Sequence, residues 1–179
     1  DVNAAAAAVT AAGGKVVYAP VMLGERGETA VFKDPEGVLF GVVHSKNGDP
    51  LDYAGDLNEW YWVDLWTADV EKAATFYRAA IGYETSPVAD DGPRSGVRLL
   101  SGGFARAGIM QKNSEKSSAT WLPYIRVADA KAAAAAARAA GGKVLLDPVA
   151  MNIATVAIIA DPTGAPIGIV QLPAPEAQP

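Results

Sequence analysis

Two short stretches of the chain alternate aromatic and charged side chains with apolar ones. Strand-like alternation puts Trp62, Asp64 and Trp66 on one face of the first stretch and Tyr124 and Arg126 on one face of the second. These five are the candidate ligand-binding residues. Two indoles, a phenol, a carboxylate and a guanidinium would suit a planar or amphipathic small molecule, held by stacking and a few polar contacts. Asp64 could also act as a base if it were desolvated, because burial raises the pKa of a carboxyl group. Packing in a core or an interface is the alternative role for these aromatic residues.

Cysteine and histidine, on which many catalytic and metal sites depend, are nearly missing. The sequence has no cysteine, which excludes disulfide frameworks, thiolate nucleophiles and zinc ribbons. It has one histidine, His44, and no Gly-x-Ser-x-Gly elbow, so a Ser-His-Asp triad is unsupported. We interpret His44 as an ordinary surface or interface histidine rather than as a lone metal ligand.

Charge and hydropathy limit the partners of the chain. Its 179 residues have a formal net charge of -5 and no run of Lys or Arg, which argues against nucleic acid and membrane surfaces. No apolar stretch reaches the roughly 20 residues that a membrane-spanning helix needs. We therefore expect a soluble protein. We also predict that it is cytoplasmic and has no cofactor. Because Asp1 opens at once on a helical run, we also expect that upstream sequence is missing.

The chain repeats itself at two distances. Gly14 in AAGGKVVYAP corresponds to Gly142 in AAGGKVLLDP, 128 positions later, which is the size of a whole domain. A weaker repeat of about 60 residues relates the helix after Asp69 to the helix after Asp129. The architecture is therefore a repeated unit, about half a domain long.

Each copy of the unit has the same order of elements. A strand leads to a helix of about three turns that an Asp caps and a Gly closes, and three strands follow. The Asp-Pro-x-Gly runs at Asp34 and Asp161 predict turns before the last strand. The helix after Asp69 has an apolar stripe that can lie on a sheet, made of Val70, Ala73, Phe76, Tyr77, Ala80 and Ile81. The predicted fold is α+β, built from β-α-β-β-β modules.

The repeat also predicts the domain boundaries. Residues 1–44 are the C-terminal module of a first domain whose upstream half is missing, and residues 45–59 are a linker. Residues 60–172 are a complete second domain, and 173–179 are a tail. Half a domain would leave an apolar face open, so either upstream sequence or a partner should cover that face.

Several motifs resemble the vicinal-oxygen-chelate superfamily, which includes glyoxalases, extradiol dioxygenases, fosfomycin-resistance enzymes and bleomycin-resistance proteins. They are YWVDLWTADVEKAATFYRAAIGYE from Tyr61 to Glu84, and GGKVLLDP and DPTGAPIGIV in the last module. The resemblance covers nearly the whole chain in a tandem two-domain layout. It implies paired modules that curl into incomplete eight-stranded barrels, with a small-molecule ligand on the concave face.

In metal-dependent members of this superfamily, His, Gln or Glu side chains on the first and last strands of each module bind one divalent ion. The resemblance places these slots at Trp62, Gly108, Leu122 and Gly168, and at Gly41 in the partial domain. None of these residues has a metal-binding side chain. We therefore predict that the metal ligands have been lost and that the glycines leave room for a ligand. The alternative is that these glycines only allow a close approach of strands.

Three functions fit the sequence. The leading hypothesis is a metal-free protein that binds or sequesters a small, possibly aromatic molecule, as bleomycin-resistance proteins do. The second is an enzyme of lyase, isomerase or dioxygenase type that uses Asp64 and Tyr124 without metal, or has its metal site in the missing N-terminal part. The third is a structural or interaction module built by domain duplication. As partners we expect a small-molecule ligand and either a second copy of the chain or the missing N-terminal module.

Overall fold

The structure, a computed structural model, describes residues 1–48, 55–88, 96–112, 117–151 and 154–173. The chain divides into two compact units. One spans residues 1–52 and 64–121, and the other spans residues 53–63 and 122–179.

The first unit begins with a helix and a three-stranded antiparallel sheet. The elements are α1 (Val2–Ala11), β1 (Lys15–Met22), β2 (Glu28–Lys33) and β3 (Leu39–His44), in the sheet order β1-β2-β3. The Asp1 side chain accepts a hydrogen bond from the Ala4 amide at 2.9 Å and so caps α1, as the repeat predicts.

A complete module follows, and from residue 64 onward it belongs to the same unit. It consists of β4 (Trp60–Thr67), α2 (Val70–Ile81), β5 (Glu84–Pro87), β6 (Gly96–Ser101) and β7 (Phe104–Gln111). Its strands lie in the order β5-β6-β7-β4, with β4 parallel to β7. Asp69 caps α2 through the Lys72 amide at 3.0 Å, and Gly82 ends it in the left-handed conformation.

The second unit contains the other complete module. It consists of β8 (Thr120–Arg126), α3 (Ala130–Ala139), β9 (Lys143–Met151), β10 (Ala154–Ala160) and β11 (Pro166–Gln171). The strand order is β8-β11-β10-β9, with β8 parallel to β11. This order repeats that of the preceding module, and together they confirm the predicted α+β fold of β-α-β-β-β modules.

An aromatic cluster joins α2 to the N-terminal part of its unit. Phe40 packs against Phe76 and Tyr77 with ring centroids 6.0 and 5.3 Å apart, and Tyr77 packs against Trp121 at 5.5 Å. Phe32 lies 5.5 Å from Phe40 and is fully buried. Residues 1–44 thus share a core with α2. The predicted linker remains a prediction, because residues 49–54 lie outside the described ranges.

One face of the β1–β3 sheet carries several exposed apolar side chains. Tyr18 is 67% exposed, and three more large apolar side chains on the same face are more than half exposed. These are Val21, Leu39 and Val43. The cover of this face by upstream sequence or by a partner remains a prediction. Across the described ranges, no helix has both the length and the apolar composition that crossing a bilayer requires.

Candidate ligand-binding site

The two faces of β4 differ in burial. Leu65 and Thr67 are fully buried, whereas Trp62, Asp64 and Trp66 alternate with them and are half-buried. Three predicted site residues therefore lie on the less buried face of one strand. Asp64 and Trp66 belong to the first unit, and Trp62 belongs to the second.

Strand register places Asp64 in a row that crosses four strands. Asp64 pairs with Gly108 on β7, Gly108 with Arg98 on β6, and Arg98 with Ser86 on β5. We call Ser86, Arg98, Gly108 and Asp64 the polar row. Because Gly108 has no side chain, Asp64 and Arg98 flank a gap two strand spacings wide, about 10 Å between their Cα atoms.

An apolar row lies beside the polar row. Trp66 pairs with Met110 on β7, and Met110 pairs with Gly96 on β6. A Cβ at residue 96 would lie 2.5 Å from the Met110 sulfur, so the methionine side chain lies over the glycine. An indole and a thioether thus border the carboxylate and guanidinium, which suits a ligand with one polar and one aromatic or aliphatic part.

Sequence reasoning missed Arg98, Ser86 and Met110. Arg98 stands between Val97 and Leu99, and Leu99 is fully buried. Alternation in this strand could have assigned Arg98 to the opposite face. Its neighbours across the sheet could not be read from the sequence, since they depend on the register of β6 with β7.

Tyr124 fills the space that the glycine at position 168 leaves. The two residues pair across β8 and β11, and a Cβ at residue 168 would overlap the Tyr124 ring. Tyr124 is only 5% exposed, and Leu122, two residues before it, is 3% exposed. The expectation that Gly168 leaves room for a ligand is therefore wrong, because packing of the tyrosine ring takes up that room.

Arg126 is engaged with the chain segment that precedes β4. Its guanidinium donates to the Gly55 carbonyl at 3.1 Å, and its amide donates to the Glu59 carbonyl at 3.0 Å. The Asn58 amide donates to the Arg126 carbonyl at 2.7 Å. These bonds give Arg126 a structural role in the second unit. Of the five predicted site residues, Asp64 and Trp66 have the surroundings that best suit a ligand.

Comparison with known proteins places the chain in a family. Residues 60–170, more than half of the chain, match the family described as Glyoxalase-like domain. The chain belongs to the glyoxalase-like domain family. This match confirms the resemblance to glyoxalases.

Two relatives extend the match beyond this domain. "Putative glyoxylase CFP32" of Mycobacterium bovis is 29% identical over 178 residues, which are 98% of this chain and 67% of that protein. "Anthracycline biosynthesis protein DauV" of Streptomyces sp. (strain C5) is 30% identical, over 96% of this chain and 62% of that protein. The chain therefore spans about two thirds of the length of these relatives.

A solved structure supports the fold. The Mn(II)-bound glyoxalase from Novosphingobium aromaticivorans superposes with a TM-score of 0.64 at 21% identity, covering 95% of this chain and 58% of that one. The similarity extends over nearly the whole chain.

The side chains that the structure describes around the predicted slots do not make a set of ligands for a divalent metal. In the described ranges, no group of three or more His, Cys, Asp or Glu side chains comes together. The register sets Asp64 beside Gly108 and Tyr124 beside Gly168, two residues after the predicted slots Trp62 and Leu122. A single carboxylate in the polar row is far fewer ligands than a divalent ion takes in proteins.

Gln111 and Gln171, three positions after the glycine slots, form side-chain hydrogen bonds with the backbone. Gln111 donates to the Ala68 carbonyl at 2.9 Å, and Gln171 accepts from the Ala130 amide at 3.0 Å. Each glutamine thus ties the last strand of its module to the start of the module's helix. His44 occupies the equivalent position in the N-terminal module, where it is exposed and lines a cavity of about 380 Å³ together with Asp1.

Proposed function

We propose that this glyoxalase-like protein binds a small amphipathic or aromatic molecule over the polar row, without a divalent metal. The observation that carries the proposal is the register that places Asp64, Gly108 and Arg98 side by side. A gap between two opposite charges, bordered by Trp66 and Met110, offers both polar contacts and a surface for stacking.

Arg98 and Asp64 of the polar row would contact different groups of the ligand. The Arg98 side chain is exposed and has no hydrogen-bond or ion-pair partner among the described residues, so its guanidinium can grip a carboxylate or another oxyanion of the ligand. Asp64 is half-buried and accepts hydrogen bonds from hydroxyl or amine groups of the ligand.

An enzymatic function is our second proposal, and the half-buried carboxylate of Asp64 favours it. A carboxylate at the edge of a binding gap can remove a proton from a bound molecule once the ligand excludes water. The variant Asp64→Asn separates the two functions. In an enzyme of this type, the variant still binds the ligand but no longer turns it over. In a binding protein, there is no turnover to lose, and the variant retains most of its affinity.

Metal analysis and ligand titration test the main proposal together. The chain is dialysed against EDTA, its metal content is measured by mass spectrometry, and tryptophan fluorescence follows binding of aromatic carboxylates. We expect the metal-free chain to bind, and Trp66→Ala or Arg98→Gln to weaken binding about tenfold, which corresponds to about 1.4 kcal/mol. Arg78→Gln, the same charge change on the exposed side of α2, is the control and should change nothing.

Two results would overturn the proposal. One is stoichiometric manganese, zinc, nickel or iron whose removal abolishes binding. The other is a ligand whose affinity is the same in the Trp66 and Arg98 variants as in the unchanged protein.

A further inference from the structure

The corner at Asp34 contacts the junction between β4 and α2 through the side chain of Glu36. This residue is the third of the Asp-Pro-Glu-Gly run, and its carboxylate accepts hydrogen bonds from the Thr67 hydroxyl and from the Ala68 amide, the latter at 3.2 Å. The Thr67 oxygen in turn accepts from the Asp69 amide at 3.2 Å. All these residues belong to the first unit. A side chain of the β2–β3 corner thus holds the last residue of β4.

The burial of Thr67 makes this contact important. Thr67 is fully buried, and a buried hydroxyl needs an acceptor for its proton. Glu36 supplies that acceptor from an exposed position. On the other side, Thr67 pairs with Gln111 of β7, and its carbonyl accepts from the Lys112 amide at 2.9 Å. The end of β4 is therefore held by β7 and by the corner together.

The repeated module provides an internal comparison. Thr67 lies two residues before the cap of α2, and the residue two before the cap of α3 is Val127, which has no hydroxyl. The residue of the second corner that corresponds to Glu36 is Thr163, and its hydroxyl donates to Asp161 of its own corner at 2.7 Å. The two members of the contact thus change together between the copies. The corner has a carboxylate in the copy where a buried hydroxyl needs an acceptor.

Thr67 adjoins a residue of the proposed ligand site. Trp66 precedes it on β4 and lies on the other face, where it forms the apolar row with Met110. Neighbouring residues of a strand share one backbone, so a shift at Thr67 also displaces the Trp66 side chain. A binding side chain keeps its geometry only when the residues around it hold the backbone in place.

We propose that Glu36 positions Trp66 through its contact with Thr67, and that the N-terminal module thereby sets the ligand affinity of the apolar and polar rows. The second part rests on the proposed function, whereas the first part can be tested with no ligand present. Glu36 is a positioning residue, because it acts on the ligand only through Thr67 and Trp66. Since the corner joins β2 to β3, whatever shifts this hairpin also shifts the support of Trp66.

NMR spectra of the ligand-free 179-residue chain test the positioning. We expect Glu36→Ala to shift the indole N–H signal of Trp66 and to speed hydrogen exchange at the Ala68 amide about tenfold. Glu36→Gln retains one acceptor oxygen and should have a much smaller effect on both. In a Thr67→Val background, Glu36→Ala should add little to the indole shift. Glu71→Ala removes one exposed negative charge from the first turn of α2, and as the control it should leave the Trp66 signal unchanged.

Titration of the same variants with benzoate tests the effect on the ligand site. Glu36→Ala should weaken benzoate binding about fivefold, and Glu36→Gln by less than about twofold. In a Trp66→Ala background, Glu36→Ala should cause no further loss of affinity, because its effect passes through the indole. The control Glu71→Ala should bind benzoate as the unchanged chain does.

The two experiments can fail separately. An unshifted Trp66 indole signal in Glu36→Ala overturns the positioning, whatever the chain binds. A shifted signal with unchanged benzoate affinity overturns the control of affinity by the N-terminal module. So does an equal loss of affinity with and without the Trp66 indole, since Glu36 would then act by another route.

Two further results keep the positioning testable. The amide spectrum of each variant reports whether it is folded, and if Glu36→Ala is not, an unshifted Trp66 indole signal in Thr67→Val overturns the proposal instead. If benzoate does not bind to the unchanged chain, the proposed function fails for aromatic carboxylates. The ligand-free spectra then still decide whether Glu36 positions Trp66.

Discussion

The corners at Asp34 and Asp161 have the same turn and different surroundings. In each, the Asp carbonyl accepts from the glycine three residues later, Gly37 at 2.9 Å and Gly164 at 3.0 Å. Both glycines have positive φ, 88° and 99°. The Asp-Pro-x-Gly sequence therefore specifies the turn by itself, wherever the turn lies in the molecule.

The two carboxylates have opposite environments. Asp34 is 5% exposed and accepts from the Val38 amide at 2.8 Å and the Tyr77 hydroxyl at 3.2 Å, and burial raises its pKa. Burial and the nearby Asp34 charge also raise the pKa of Tyr77. Asp161 is exposed, and hydrogen bonds from the Thr163 hydroxyl and the Ala165 amide lower its pKa.

The helices explain the difference. The apolar side of α2 carries Phe76 and Tyr77, which reach Phe40 of the N-terminal module as well as contacting each other at 4.9 Å. In α3 small side chains pack on its own sheet, and Ala134 forms a core cluster with Ala157 and Ile169. The large side chains of α2 thus bury the corner at Asp34. The alanine-rich α3 leaves the corner at Asp161 exposed to water.

The largest expected effect is that of Asp34→Ala. Truncation leaves the Val38 amide and the Tyr77 hydroxyl buried without their acceptor, at a cost of about 3 kcal/mol in the free energy of unfolding. Urea unfolding followed by tryptophan fluorescence measures this cost. Asp34→Asn retains one acceptor oxygen and should cost less. A loss of under about 0.5 kcal/mol for Asp34→Ala would show that the two corners are equivalent after all.

A smaller effect is expected for Tyr77→Phe. The ring keeps its packing on Phe40, Phe76 and Trp121, but Asp34 loses one of its two donors, at a cost of about 1 kcal/mol. In a double-mutant cycle, Tyr77→Phe should cost much less when Asp34 is already Ala. Tyr18→Phe, at an exposed tyrosine of the same unit, is the control. Additive losses would mean that Asp34 and Tyr77 do not interact.

The sequence was sufficient to predict features that depend on residues close together along the chain. The helix caps Asp1, Asp69 and Asp129 and the two corners follow from short motifs, and the structure places each as predicted. These features depend on hydrogen bonds within a few residues of the motif.

The rest depends on residues that are distant along the chain. Arg98 reaches the polar row through the register of β6 with β7, and Tyr124 covers Gly168 through the register of β8 with β11. Alternation indicates the face on which a side chain lies, but not its neighbour across the sheet. For the same reason the sequence predicted a turn at Asp34 but not its bond to Tyr77.

The two carboxylates should also have opposite effects on the pH dependence of stability. The pKa of Asp34 is raised above 3.8 in the folded chain, so the folded state binds its proton more tightly. Stability therefore falls as pH rises from 3.8 through the folded pKa. Asp34→Asn should flatten the unfolding free energy in this range. An unchanged slope in this variant would show that Asp34 ionises as readily in the fold as in the unfolded chain.

The smallest change is expected for Asp161→Ala. Because Asp161 is exposed, water replaces the lost acceptor for Thr163 and Ala165, and the loss of stability should be clearly smaller than that of Asp34→Ala. The folded pKa of Asp161 lies below 3.8, so its contribution is present above pH 3.8 and disappears as pH falls toward the folded pKa. Unfolding measured at neutral pH and again below pH 3.8 should thus show the difference between Asp161→Ala and the unchanged chain shrinking in acid. If that difference instead grows in acid, Asp161 behaves like the buried Asp34, and exposure alone does not distinguish the two corners.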